Sequence, residues 1–325
     1  MPVIDGFPVV ERDYSDDEGL PSIGLANIRA VVPGIEENKE RIVRACRVFR
    51  ELGATVALFP EFALSGYFWE DEPACRAYMD QALTELHLDW IDQELRPLCE
   101  GGSLEAIVLN NLCAGEGGYV NRTFVVAPKI AEPLAPENAY DKIFLPGIEK
   151  TYTVPGRDDR LVLQGAPGDP LFGFTTCYDY LFVELMRRYA FEDKVDAVVQ
   201  LASWRAMSSR EYPFLNMRTD EYYGYLWDTV MAGSSAQNQV WTFACNAVGR
   251  HGVTGVAFWG GSGVWAPSGI PLVQASHFHD ELLVVRHLDI RGGRQFELDD
   301  FDYEFDFREV HRRVSGRPAN RDEIG

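Results

Sequence analysis

A helix held between two apolar strands, all within the first sixty residues, limits the folds open to this chain more than any other feature. Over residues 35–52, Ile42, Val43, Cys46 and Phe49 recur at helical spacing, and Gly53 stands where a left-handed residue ends a helix cheaply. Residues 23–30 before it and 56–59 after it are short apolar runs suited to buried strands. The alternation continues: 106–110, 123–127, 171–176, 197–201 and 240–245 read as strands, and 180–191 and 226–238 as helices. Leu181, Phe182, Leu185, Met186 and Tyr189 form the stripe of the first of these two helices. Buried strands alternating with helices imply a layered α/β domain. With 325 residues, 46% of them hydrophobic, the chain has material for a sizeable core. Residues 1–20 read as an irregular N-terminal extension and 21–290 as the main domain. Residues 291–325, with the acidic–aromatic run L-D-D-F-D-Y-E-F-D-F, read as a tail that packs on a neighbouring subunit or stays partly ordered.

A net charge of −20 repels phosphate backbones and anionic lipid, so neither nucleic acid nor a membrane surface is an expected partner. The opening M-P-V-I-D-G-F-P-V-V lacks the basic start and apolar run of a secretory leader, and no apolar stretch reaches transmembrane length. Cys46, Cys75, Cys99, Cys113, Cys177 and Cys245 form no C-x-x-C pair and no zinc-like spacing with histidine. Free thiols, a cytoplasmic location, no metal and no cofactor are expected. His277 and His279 stand two apart on an expected strand, but no third ligand accompanies them, which favours a structural or surface role. Gly260, Gly261 and Gly263 lack the Lys-[Ser/Thr] of a phosphate loop.

Three segments place reactive side chains at or near strand ends: Glu61 in A-L-F-P-E-F-A-L-S-G-Y, Lys142 and Glu149 in K-I-F-L-P-G-I-E-K-T-Y-T-V-P-G, and Cys177 in F-G-F-T-T-C-Y-D-Y-L-F-V-E-L. Strand ends in layered α/β folds converge on one sheet edge, where ligands bind. Together these groups suffice for acyl transfer. A nearby ammonium favours the thiolate, and a helix starting after Cys177 adds its positive end. A carboxylate takes the thiol proton and returns it to a leaving amine. Lys142 and the backbone N–H of Tyr178 face the developing oxyanion. Taken singly, each residue has a plainer reading: a small buried cysteine, a surface acid, a solvated lysine.

In combination and in this order, the segments resemble the nitrilase superfamily of carbon–nitrogen hydrolases, over about residues 22–290. Q-N-Q-V-W-T-F-A-C-N-A-V-G, ending near Asn246, and W-G-G-S-G-V-W-A-P-S-G-I-P-L are similar to the helix–strand and glycine–serine turn that follow in that family. The resemblance implies a four-layer αββα sandwich, usually paired into a homodimer or larger homo-oligomer through helical faces. It further implies a Glu61–Lys142–Cys177 triad with Glu149 as a further glutamate.

Where relatives often carry a basic residue after the catalytic cysteine, this chain has Tyr180 and Leu181, and where they commonly carry a histidine after the lysine it has Phe144. Tyr178-Asp179 resembles the amidase-like branches, so the expected substrate is a small-molecule primary amide, releasing ammonia. N-carbamoyl amides, nitriles and acyl transfer to an amine are the alternatives, and a scaffold without activity is a more distant one. Tyr67 and Trp69 either wall the acyl pocket or pack in the core. Trp204, Arg205 and Arg210 open an unusual aromatic and polar stretch, 203–239, where a guanidinium either pairs a substrate carboxylate or is a solvated loop charge.

Overall fold

The first strand–helix–strand unit forms as its pattern requires. In the computed structural model, which describes residues 1–157 and 159–315, Ile23–Asn27 is a strand with every residue buried. The helix Ile35–Glu51 follows, burying Ile42, Val43, Cys46, Val48 and Phe49, and Gly53 takes φ +79° just beyond its end. Val56–Leu58 then runs parallel to the first strand, and Ala106–Gly115 parallel to that. The strands predicted over 106–110, 123–127, 171–176, 197–201 and 240–245 also form, with ends shifted by a few residues.

Two sheets result. The first has eight strands in the order Val3–Ile4, Phe7–Asp13, Glu281–Arg286, Ile23–Asn27, Val56–Leu58, Ala106–Gly115, Gly118–Val126 and Ala139–Asp141. The second has six, in the order Pro271–Gln274, Gly263–Trp265, Trp241–Asn246, Ala197–Ala202, Phe172–Thr176 and Val162–Leu163. Leu25, Leu58 and Val108 of the first sheet pack against Val199, Phe243 and Val264 of the second. The outer face of the first sheet is covered by the helix Ile35–Glu51, and that of the second by Val183–Phe191 and Tyr222–Asn238. The layers are therefore α, β, β, α. Close helix–sheet approach explains two strand glycines: a β-carbon at Gly24 would lie 2.5 Å from the Phe49 ring, and one at Gly173 2.6 Å from the Tyr189 ring.

Two expectations need correction. Residues 3–13 are not irregular: Phe7–Asp13 pairs in parallel with Glu281–Arg286, a partner too distant in sequence for local pattern to reveal. The expected helix over 180–191 is two pieces, a 3₁₀ turn over Cys177–Leu181 and an α-helix over Val183–Phe191, divided at the extended residue Phe182. The Asp179 carboxylate fixes the turn by accepting the Thr176 N–H while the Thr176 side chain accepts from the backbone of Asp179. At the start of the C-terminal segment, Ile290–Asp300 and Tyr303–Ser315 are helices. The first of these packs on its own chain. The Trp241 indole donates to the Ile290 carbonyl at 2.8 Å, and Arg294 reaches the Gln239 carbonyl at 3.2 Å and the Asp196 carboxylate at 3.3 Å. Residues 316–325 lie outside the described residues.

Among the described residues, no helix is long and apolar enough to cross a membrane. All six cysteines are free and buried.

Candidate active site

Parallel strands point their carboxyl ends the same way, and this brings together side chains that are far apart in sequence. Glu61 follows Val56–Leu58, Cys177 follows Phe172–Thr176 and Ser203 follows Ala197–Ala202. Lys142 follows Ala139–Asp141, and Glu149 opens the short helix Glu149–Tyr152. Lys142 Nζ lies between two carboxylates, 2.7 Å from Glu61 Oε1 and 2.6 Å from Glu149 Oε2, and all three side chains are shut from solvent. Burial alone would lower the lysine pKa. The negative charges of Glu149 and then Glu61 outweigh it and hold the group well above its ordinary range, so it is an ammonium. Burial pushes Glu149 up, with Lys142 pulling against it.

The remaining oxygens are also paired. One residue not singled out from the sequence, Asn121, donates from its single amide group to Glu61 Oε1 at 2.8 Å and to Glu149 Oε1 at 2.7 Å. Its own carbonyl accepts from Asn110 at 2.7 Å. The Ser203 N–H donates to Glu61 Oε2 at 2.8 Å, and the Ser203 hydroxyl to the Glu61 carbonyl at 2.7 Å. Tyr67 OH donates to Glu149 Oε2 at 3.1 Å; burial, then Glu149 itself, pushes the phenol well above its usual range, so it remains a donor. The available sequence signal for Asn121 is a polar residue at the same strand period as Thr123, both on the buried face of Gly118–Val126.

Cys177 adopts φ +52°, a left-handed conformation that costs a non-glycine residue roughly 1–3 kcal/mol and turns its side chain out of the strand direction. Its surroundings hold it there. Gln200 donates to the Cys177 carbonyl at 2.8 Å, and Asp179 accepts from the Thr176 N–H at 3.2 Å, from Tyr140 OH at 2.7 Å and from the Phe144 N–H at 2.7 Å. Asp179 thereby ties the Cys177 turn to the segment that carries Lys142. Burial pushes this carboxyl up to about 7, against the pull of Lys142. The Phe144 and Phe182 rings stack over the same junction, with centroids 3.6 Å apart.

Burial, then the charge of Glu61, pushes the Cys177 thiol well above its ordinary range, with Lys142 opposing. The ammonium thus acts in the direction expected from the sequence, toward the thiolate, but burial and Glu61 outweigh it. The helix dipole expected behind Cys177 is replaced by a single 3₁₀ turn.

Cys177 opens into a cavity of about 570 Å³. Tyr67, Trp69, Tyr178, Trp204 and Arg205 all line it, as does Ser203. Arg210 does not. It sits on the hairpin formed by Arg210–Tyr212 and Met217–Thr219, with its guanidinium 4.6 Å from the Tyr222 ring centroid. His277 and His279 lie in a bend and not on a strand. His277 donates to the Trp259 carbonyl at 3.0 Å, and His279 shares a hydrogen bond with Ser276 at 3.0 Å. Among the described residues, no group of three or more His, Cys, Asp or Glu side chains could hold a metal ion.

The arrangement is a buried thiol beside a carboxylate and an ammonium, at the floor of an aromatic-walled cavity. A family model described as carbon-nitrogen hydrolase matches residues 22–294. Among solved structures, a mutant of an amidase of the nitrilase superfamily from Nesterenkonia AN1 is similar at 24% identity and a TM-score of 0.68, covering 90% of this chain and 97% of that one. A second structure of the Nesterenkonia sp. AN1 amidase carries the acetamide moiety of fluoroacetamide at its active-site cysteine. It matches at 24% identity and a TM-score of 0.67, covering 90% and 96%. A CN-hydrolase superfamily protein from Xanthomonas campestris, with an arsenic adduct in its active site, matches at 20% identity and a TM-score of 0.69, covering 88% and 97%. No curated protein sequence matches the chain.

Proposed function

The chain belongs to the carbon–nitrogen hydrolase family, and from that premise we propose that it hydrolyses a primary amide of a small molecule through a thioester on Cys177. The observation that carries this reading is the placement of one buried ammonium, Lys142, between the Glu61 and Glu149 carboxylates and close to a thiol at φ +52°. The covalent acetamide adduct at the active-site cysteine of the Nesterenkonia amidase is consistent with it.

In this mechanism Glu61 takes the thiol proton while Sγ attacks the amide carbon. The carbonyl π pair moves onto oxygen, and the oxyanion faces Lys142 and the N–H of Tyr178. Taking the proton moves one negative charge from Glu61 to sulfur without changing the net charge of the buried cluster, so the ammonium compensates both states. Collapse of the intermediate re-forms the carbonyl and breaks the C–N bond, and Glu61 returns the proton to the departing ammonia. Water then attacks the thioester with Glu61 again as base, releasing the acid and the thiol. Glu149, Tyr67 and Asn121 hold the ammonium in position throughout.

An amide needs only an oxyanion site and a proton for its leaving group, and this cluster offers both. A nitrile must also gain water before ammonia can leave. A primary amide should therefore exceed the matching nitrile in kcat/KM by at least about tenfold, roughly 1.4 kcal/mol of transition-state preference. Paired kinetics on one acyl skeleton test this. A faster nitrile would refute the amidase reading, a faster N-carbamoyl analogue would move the enzyme to carbamoyl hydrolysis, and preferential transfer to an added amine would make it an acyltransferase.

A further inference from the structure

The walls of the cavity above Cys177 differ from its floor. Tyr67, Phe68, Trp69 and Trp204 are each at most 7% exposed, and Tyr223 and Leu226 also line it. These rings are held. Phe68 stacks on Tyr152 at 4.7 Å, Trp69 lies 5.9 Å from the His251 ring, and Trp204 meets Trp227 edge-on at 5.6 Å. Several polar atoms deeper in the same walls are already engaged by the protein. Ser203 directs both its N–H and its hydroxyl to Glu61, and the Trp204 indole N–H donates to the Tyr223 carbonyl at 2.8 Å. Thr254 bonds His251, and Asp71 accepts the Ala74 N–H at the start of the helix Glu72–Met79. A hydroxylated or charged acyl chain set against these engaged atoms and the aromatic rings would lose water without gaining partners, a cost of about 1–3 kcal/mol per unpaired group.

We infer that the acyl group taken by this cavity is aromatic and uncharged, making the substrate class an arylalkyl primary amide; the inference rests on the amide-hydrolase reading above. Size agrees, since an apolar cavity of ~150 Å³ already accommodates a benzene ring and this one measures about 570 Å³. Fixed aromatic faces offer offset or edge-on contacts to a substrate ring. Charge at the rim agrees as well. Glu70 and Asp71 line the cavity together with Arg205, so among the described residues two lining carboxylates oppose the one lining guanidinium that could attract an anionic acyl group.

The test is kcat/KM of the intact protein for acetamide, 3-phenylpropanamide and succinamate. The phenylalkyl amide should exceed acetamide by at least about a hundredfold and succinamate by at least about tenfold, on the scale of burying one phenyl group. Acetamide or succinamate at or above the phenylalkyl amide would overturn the inference while leaving amide hydrolysis intact. Should nitriles or N-carbamoyl compounds react and amides fail, the amidase reading fails alone, and the same methyl, phenylalkyl and carboxyalkyl series in the reactive class decides the cavity. Reaction with none of them overturns both. In Trp204→Ala the phenylalkyl-to-methyl ratio should fall at least tenfold, and Trp204→Phe should keep most of it. Because a ratio is unaffected by the fraction folded, an unchanged ratio in Trp204→Ala would contradict the assignment of that wall.

Discussion

The ammonium of Lys142 lies 2.7 Å from Oε1 of Glu61, with both side chains withdrawn from solvent. Such a pair gives little net stability compared with apolar packing, but breaking it leaves an uncompensated buried charge. Lys142→Ala should therefore cost about 3–5 kcal/mol of stability in denaturant unfolding. In the same account, Lys142→Ala and Glu61→Gln each lower kcat at least about a hundredfold, as expected for losing an oxyanion partner or a positioned base. Near-normal kinetics in either variant would count against these roles.

Asn121 supplies one amide group to two carboxylates, Glu61 at 2.8 Å and Glu149 at 2.7 Å. Asn121→Leu removes a donor from both and leaves the Asn110 amide without one of its acceptors. Destabilisation of about 1–3 kcal/mol per unpaired group is expected. Because the amide steers the cluster and does not line the cavity, kcat should fall at least about tenfold with KM nearly unchanged. A loss confined to KM would place Asn121 in substrate binding.

Asp179 gives a pH-dependent prediction. Burial raises its carboxyl from an ordinary value of 3.8 to about 7. A group raised in the folded state stabilises the protein fully below its unfolded pKa and loses that contribution as pH climbs through the folded value. Between about pH 4 and 7 the wild type should thus lose up to roughly 4 kcal/mol relative to Asp179→Asn, which does not titrate. Parallel urea unfolding of the two proteins across that range checks the slope. A difference independent of pH, or one growing in the wild type's favour, would contradict it.

How much of this was readable from the sequence follows from which interactions are local. The helix Ile35–Glu51 and the strands beside it showed in hydrophobic period and in Gly53, because burial of one face imposes that period. Glu61, Lys142, Glu149 and Cys177 stood out because each follows or adjoins a strand end, and the structure brings all four together. The contacts that organise them were hidden. Asn121 and Glu61 are sixty residues apart, Ser203 and Glu61 more than twice that, and neither pairing leaves a periodic trace. The parallel pairing of Phe7–Asp13 with Glu281–Arg286 was hidden for the same reason. Phe182 interrupts the expected helix without a proline or glycine to mark the break. The break follows from the Asp179 carboxylate, which satisfies the Thr176 and Phe144 N–H groups and so favours a tight turn over a continuous helix.

If Cys177 is the nucleophile, covalent modification during turnover of a primary amide falls on its sulfur. The protein should be quenched under single-turnover conditions, digested, and weighed peptide by peptide. The peptide containing Cys177 should gain the mass of the acyl group, this gain should decay as the acid appears, and folded Cys177→Ala should show neither adduct nor product. Turnover with Cys177 unmodified throughout and retained by Cys177→Ala, or an acyl adduct on Cys46, Cys75, Cys99, Cys113 or Cys245 instead, would contradict Cys177 as the nucleophile.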